Sequence, residues 1–296
     1  MRAFFELVRL PAVFTAPADV LAGLALGGFF APRMLTTATE PAVVLALVAA
    51  SVCIYAAGMM ANDLFDRAID QVERPGRPIP SGRIGVGVAW TSTLGLQVAG
   101  TALAFLGGGH RAGVACLATV LATYLYNGLL KSTLWGPLSM GLCRYGNAAI
   151  GLAALGLEPV GAPVAYAIPM GTMLYVAAVT GVSRHEVSGT PGPGLRWALV
   201  GMGGFALFPA VAALGGALTP WAGLAALAAP AFLARPLHRA WQGGAGPVRG
   251  AVMAGIFGIA LVDAAIAVGA DAPWTAGAIV ALAAAGRRFG RWFYAT

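Results

Sequence analysis

The sequence predicts an all-α, polytopic membrane protein of about nine transmembrane helices, with a tenth less well marked at the C-terminus. Three observations carry that expectation. Apolar residues make up 59% of the chain and charged residues only 10%, giving a mean hydropathy of +0.80. The apolar residues fall into separate runs, most of them close to the roughly twenty residues an α-helix needs to cross hydrocarbon. Lysine and arginine gather in alternate segments between those runs, the bias that fixes cytoplasmic loops.

In chain order the runs are 10–30, 41–61, 84–106, 111–130, 137–157, 163–182, 195–216, 218–234, 250–269 and 274–292. The stretch from Leu7 to Phe30 reads as the first span, with Arg2 and Arg9 on its inner flank. A removable signal is not expected, because more spans follow and no cleavage-like site stands out. With the N-terminus inside, fifteen of the eighteen basic residues lie in inner segments. Arg33 and Arg111 lie outside and Arg144 within a span. The charged loops 62–83 and 183–196 then both open on the cytoplasmic side. Residues 1–296 read as one transmembrane domain, without room for a soluble one.

A net charge of +7 and a pI near 9.8 would suggest nucleic acid in a soluble chain. In a membrane chain they report topology and an affinity for anionic head groups, so no nucleic-acid partner is expected. Cys53, Cys116 and Cys143 sit within apolar runs without paired spacing and read as free thiols. The forty-two glycines, mostly inside apolar runs, suit close helix packing in lipid. An Ala- and Gly-rich composition that favours Arg over Lys points to a high-GC bacterial source and hence to the plasma membrane.

One stretch departs from this apolar background: Asn62 to Arg83, NDLFDRAIDQVERPGRPIPSGR. It holds Asp63, Asp66, Asp70 and Glu73 together with Arg67, Arg74, Arg77 and Arg83. On a continuous helix, positions i, i+3 and i+7 fall within an arc of about 60°, which places the three aspartates on one face. A divalent cation would relieve their repulsion, and Mg²⁺ takes hard oxygen ligands while keeping positions open for phosphates. The arginines would donate charge-assisted hydrogen bonds to the same phosphate, and Arg74-Pro75-Gly76-Arg77-Pro78 reads as a turn that holds them. A solvated loop of mutually neutralising charges could share this composition, but not the order N-D-x-x-D-x-x-x-D followed by R-P-x-R-P-[IL]-x-S-G-R.

Asn62, Asp63, Asp66 and Asp70, followed by Arg74 to Arg83, resemble the first signature of the UbiA superfamily of intramembrane prenyltransferases. The resemblance implies helical spans around a central cavity, a prenyl diphosphate held through Mg²⁺, and transfer of the prenyl group to a small aromatic or polar acceptor. Tyr124-Leu125-Tyr126-Asn127-Gly128-Leu129-Leu130-Lys131 is similar to the superfamily's tyrosine-and-lysine segment, although Tyr126 to Lys131 is one residue longer. Lys131 is then a candidate phosphate ligand or a positive-inside anchor, and Tyr126 a candidate cavity residue.

Asp19, Arg144 and Asp263 fall inside apolar runs, where an ionisable group is costly and should face the bundle interior with a partner. Arg144 and Asn147 are one turn apart on one face, so they either touch diphosphate or acceptor, or form a structural pair, for example with Asp19 or Asp263.

The superfamily also carries a second aspartate-rich motif after the sixth span. Here that place reads Thr180-Gly181-Val182-Ser183-Arg184-His185-Glu186-Val187-Ser188-Gly189, with Glu186 as its one acid. Either Glu186 with Ser183 or His185 would complete a reduced metal site, or the site would hold one metal, and Arg184 would touch phosphate in place of part of the missing cation. The S-R-x-E-V-x-G form, with G-P-L-x-M-G-L-C-R at 136–144, resembles an EboC-like branch of the superfamily.

The expected site is therefore Asp63, Asp66, Asp70 and Glu186 as catalytic metal ligands. Asn62, Arg74, Arg77, Tyr126, Lys131, Arg144, Asn147 and Arg184 are the expected substrate contacts. Phe14, Tyr124, Tyr126, Tyr145 and Tyr175 are candidates to face an allylic cation. Two other activities share these features: a terpene cyclase of the same fold, and a non-catalytic membrane protein that binds or transports isoprenoid diphosphates.

Overall fold

The computed structural model describes residues 2–28, 40–154 and 162–293, and among these every regular element is a helix. They are α1 (Arg2–Leu7), α2 (Leu10–Val13), α3 (Ala16–Leu26), α4 (Glu40–Phe65), α5 (Arg67–Glu73), α6 (Val86–Leu125) and α7 (Gly136–Leu152). After these come α8 (Ala162–Ala167), α9 (Pro169–Ser183), α10 (Pro193–Phe205), α11 (Phe208–Leu214) and α12 (Trp221–Ala226). The chain ends on α13 (Ala228–Trp241), α14 (Ala245–Gly269) and α15 (Pro273–Phe293). A π-helical turn, Tyr126–Leu130, follows α6 directly. Pro11, Pro17, Pro137, Pro169, Pro193 and Pro209 stand in the first turns of their helices, where the missing N–H has no intrahelical partner to lose.

Helix α6 is two helical arms joined at Gly109 (φ 80°, ψ −174°), a conformation that costs a residue without a Cβ little. Tyr124 Oη donates to Gln97 Oε1 at 3.0 Å, and Thr101 Oγ1 lies 3.7 Å from Cys116 Sγ. On a straight helix residues 97 and 124 would be about 40 Å apart. The element is therefore an antiparallel hairpin, and its arms correspond to the separate runs 84–106 and 111–130.

By length and apolarity, four described segments suffice to cross a membrane: Pro41–Phe65, Val86–Leu130, Pro163–Ser183 and Ala245–Gly269. The pair α10 and α11, bent by 44°, makes a fifth if it is one span. An expected count of nine or ten thus depends on counting hairpin arms and broken helices. The run 10–30 is divided between α2 and α3, and 218–234 between α12 and α13.

The molecule has the polarity of a membrane protein. Val98, Leu106, Leu121, Leu134 and Trp274 are exposed, while Asp19, Arg144, Asn147 and Asp263 are buried. Helices α3 and α7 cross closely because each presents a glycine. A Cβ on Gly23 would lie 2.1 Å from Ala148 O, and one on Gly151 would lie 2.1 Å from Val20 O. At the other end of α3, Leu7 packs with Met60, Leu64, Ile79 and Ile84. That cluster clasps the loop 74–83 onto α1 and the end of α4 and so shapes the mouth of the bundle.

Candidate active site

Helix α4 ends by delivering Asn62 and Asp63, and the helical run is interrupted at Asp66 before α5 carries Asp70. Backbone bonds from Asp66 N to Asn62 O (2.9 Å) and from Asp70 N to Asp66 O (2.8 Å) keep the helical register across the break. Asp63 and Asp70 consequently turn the same way, and both are buried. Arg77 Nη1 bridges them, donating to Asp70 Oδ2 at 2.6 Å and to Asp63 Oδ1 at 3.2 Å. The two carboxylate oxygens are no further apart than those distances laid end to end. Arg9 closes the row from the other side, with Nη2 3.3 Å from Asp63 Oδ1 and 3.4 Å from Asn62 Oδ1. Asn62 Nδ2 in turn donates to Asn127 Oδ1 at 2.9 Å.

Asp66 does not join this row. Its carboxylate takes the ammonium of Lys131, which the π-helical turn brings to that position. The turn closes through Lys131 N to Tyr126 O at 2.9 Å, and so absorbs the one residue by which Tyr126 to Lys131 exceeds the superfamily spacing.

The expected three-carboxylate cluster is thus divided into a pair and a single acid. No group of three or more His, Cys, Asp or Glu side chains is close enough to hold a metal among the described residues. The reason is electrostatic: each carboxylate has an internal cation, and these cations relieve the repulsion that a metal would otherwise relieve. The donors still match Mg²⁺ in kind. Asn62 Oδ1, Asp63 Oδ1 and Asp70 Oδ2 are hard oxygens in a row, and a guanidinium nitrogen stands between each neighbouring pair.

Below the row is a narrow apolar pocket of about 60 Å³, open at one side. Ile54, Tyr55, Gly58, Met59, Thr119, Thr123 and Met140 line it, and Asn62, Tyr126 and Asn127 stand at its upper end. Arg144 and Asn147 form part of the wall. Tyr126 is the one ring of the five aromatic candidates in this lining. Phe14 stacks on Phe289 at 5.5 Å, Tyr124 is bonded to Gln97, Tyr145 Oη donates to Tyr166 O at 3.1 Å, and Tyr175 Oη donates to Gly255 O at 2.9 Å. Tyr55 was not anticipated. Its signal was present, since Tyr55, Met59 and Asn62 follow the i, i+4, i+7 pattern of one helix face.

Arg144 and Asn147 form the structural pair. Arg144 Nη1 lies 2.9 Å from Asp19 Oδ2, Arg144 Nη2 donates to Thr15 Oγ1 at 3.0 Å, and the guanidinium sits 4.9 Å over the Tyr55 ring. Asn147 Nδ2 donates to the same Asp19 oxygen at 2.8 Å and to Ala16 O at 2.8 Å. Arg184, expected at the phosphate, instead donates to the carbonyls of Lys131 and Thr133 and lines neither the pocket nor the mouth. Its role here is to tie the end of α9 to the turn that carries Lys131. Arg74, expected in the same clamp, is exposed at the mouth; its backbone N–H donates to Asp70 O at 2.9 Å, and its guanidinium bonds none of the three aspartates.

Glu186 is half-buried in the loop after α9, within electrostatic reach of Arg74 and Arg9. Gly244 N donates to Gly189 O at 2.7 Å, which ties the second loop to the start of α14 and to Arg249. Burial raises the Glu186 pKa above its ordinary value, and Arg249, Arg74 and Arg9 oppose the rise. Glu186 joins no group of three or more candidate metal ligands among the described residues.

Comparison with known proteins gives a consistent picture. The profile of the UbiA prenyltransferase family matches residues 20–245. A digeranylgeranylglyceryl phosphate synthase from Ignicoccus hospitalis is 38% identical over 141 residues, which are 47% of this chain and 43% of that protein. The chain spans about half the length of the relatives it matches. In structure, a UbiA homolog from Aeropyrum pernix superposes with a TM-score of 0.69 at 18% identity, covering 87% of this chain and 97% of that one. A UbiA homolog from Archaeoglobus fulgidus bound to GPP and Mg²⁺ superposes with a TM-score of 0.60 at 16% identity, covering 89% and 99%.

Proposed function

The chain belongs to the UbiA prenyltransferase family, and from that premise we propose that it transfers a prenyl group from a prenyl diphosphate to a phosphorylated, hydroxyl-bearing acceptor in a Mg²⁺-dependent reaction. The observation that carries this reading is the junction at Asn62–Asp63, where a row of hard oxygens and their cations caps an apolar pocket. A prenyl diphosphate has that division of charge and hydrocarbon. The acceptor class is supported by the names of the relatives in sequence, which are digeranylgeranylglyceryl phosphate synthases, in preference to an aromatic acceptor.

Asn62, Asp63 and Asp70 would hold the metal, with Asp66 beside them. When bound, Mg²⁺ supplies Lewis-acid neutralisation of the diphosphate. The chain's own residues do the rest. Arg77 and Lys131 exchange their carboxylate partners for phosphate oxygens and stabilise the charge that grows on the leaving group. The allylic C–O bond breaks with its electron pair leaving on diphosphate. The faces of Tyr55 and Tyr126 stand near the cationic carbon, and the apolar walls keep water from capturing it. The acceptor hydroxyl then forms the new C–O bond and gives up its proton. Residues 1–296 act as one domain in the bacterial plasma membrane with the mouth towards the cytoplasm, a reading supported by composition and by the fifteen inner basic residues.

The test is to incubate the purified protein with Mg²⁺ and labelled prenyl diphosphates, with and without a prenylglyceryl phosphate or an aromatic carboxylic acid. Diphosphate release that requires the glycerol phosphate is expected. Release with a hydrocarbon product and no acceptor would instead make the protein a cyclase. Tight binding without release under any condition would make it a carrier.

A further inference from the structure

The apolar pocket and the carboxylate row leave a second, larger cavity unassigned. It is an open basin of about 530 Å³ between α1, residues 9–11 and the loop 74–83, and it meets the row at Asp63. Arg9, Arg74, Arg77 and Arg83 line it, against only Glu6 and Asp63.

Both acids are already matched. Glu6 takes Arg83 at 2.6 Å and Arg2 at 3.4 Å, and Asp63 takes Arg9 and Arg77. Arg83 is fully committed as well, since Nη2 donates to Gly76 O at 2.7 Å and Nε to Ser81 Oγ at 3.2 Å. These bonds make a rigid wall and leave a surplus of positive charge. Arg74 carries the surplus: it makes no side-chain hydrogen bond or ion pair among the described residues, and Glu186 is the acid it influences across the mouth. Phe5 and Pro11 give the same cavity an apolar side. A guanidinium without a partner beside an apolar wall suits a phosphate monoester carried on a hydrocarbon tail.

We propose that this basin is a second phosphate site, separate from that of the diphosphate, and that it seats the phosphate of the acceptor with Arg74 as principal donor. The assignment to the acceptor rests on the prenyl-transfer reading; the phosphate site itself does not. Its place is chemically sensible, because a ligand there ends at Asp63, next to the residue that opens onto the apolar pocket.

Binding of dihexanoyl phosphatidic acid to the full chain in neutral detergent tests this by calorimetry, with the protein free or saturated with Mg²⁺ and a non-hydrolysable geranyl thiodiphosphate. The two ligands are expected to bind together. Arg74→Gln should weaken the phosphatidic acid about tenfold and leave the thiodiphosphate unchanged, and Arg74→Lys should recover part of the loss. One-for-one displacement by the thiodiphosphate, or an unaltered Arg74→Gln affinity, overturns the second site. Equal competition by phosphatidylglycerol in nanodiscs overturns the acceptor assignment and makes the occupant a membrane lipid. If the thiodiphosphate fails to bind at all, the prenyl-transfer reading falls, while phosphatidic acid binding is still measured in its absence.

Discussion

The molecule contains two centres in which arginine meets aspartate, and they differ in what else each guanidinium can reach. Arg144, Asp19 and Asn147 are sealed between α3 and α7, where paired glycines bring the backbones together. Arg77 stands between Asp63 and Asp70 at the rim of an open basin, and Arg9 beside it faces the same basin. In the buried centre Arg144 is held by Asp19 and Thr15 between packed helices, so the pairing is architecture that also forms the pocket wall. At the rim each cation can exchange a carboxylate for water or phosphate. The same chemistry thus yields a structural joint in one place and a binding site in the other, and solvent access decides between them.

The largest effect that tests this contrast is on stability. Arg144→Met should destabilise the protein by about 3–5 kcal/mol, because Asp19 would be left buried with an uncompensated charge. The double variant Asp19→Asn with Arg144→Met should recover most of that loss, since removing both charges costs far less than removing one. Thermal unfolding in detergent reads both. A single variant as stable as the wild type would show that water reaches the sealed centre.

At the rim the signs reverse. Asp63→Ala or Asp70→Ala should lower turnover by roughly 10²–10³-fold, the scale of losing a preorganised electrostatic group. Stability should fall by less than in Arg144→Met, because the released Arg77 is itself partly exposed and can turn into the basin. Comparable melting curves with collapsed prenyl transfer are the expected pair of results. A melting loss as large as that of Arg144→Met would make the rim a structural joint too.

The contrast also explains what could be read from the sequence. Long apolar runs fix a helical membrane protein, and the order N-D-x-x-D-x-x-x-D marks the mouth, because both signals are local. The antiparallel fold of α6 was legible as two runs around a glycine-containing turn. Partner choice was not legible, because it depends on sequence-distant contacts. Arg9 reaches Asp63 across 54 residues and Arg144 reaches Asp19 across 125. Asp66 was placed with its neighbours on one face by helix periodicity alone, and the Lys131 ammonium, 65 residues away, redirected it. The partners of Arg184 were hidden for the same reason, since they are the backbone carbonyls of Lys131 and Thr133, which no motif records.

Glu186 gives the smallest and most specific test, because it belongs to the open rim yet lacks a bonded cation. Burial raises its pKa from the ordinary 4.5, in spite of Arg249, Arg74 and Arg9. The folded protein therefore holds this proton more tightly than the unfolded chain does. Stability from this group is greatest at low pH, declines as pH rises through the interval just above 4.5, and is level once the folded group has ionised. Glu186→Gln mimics the protonated form, so the variant should lose that slope and match the wild type only at the acid end. Melting temperatures recorded from about pH 4 to pH 7 read the difference, which should be a fraction of either effect above. A slope of the opposite sign in the wild type would mean that the three arginines outweigh burial at Glu186.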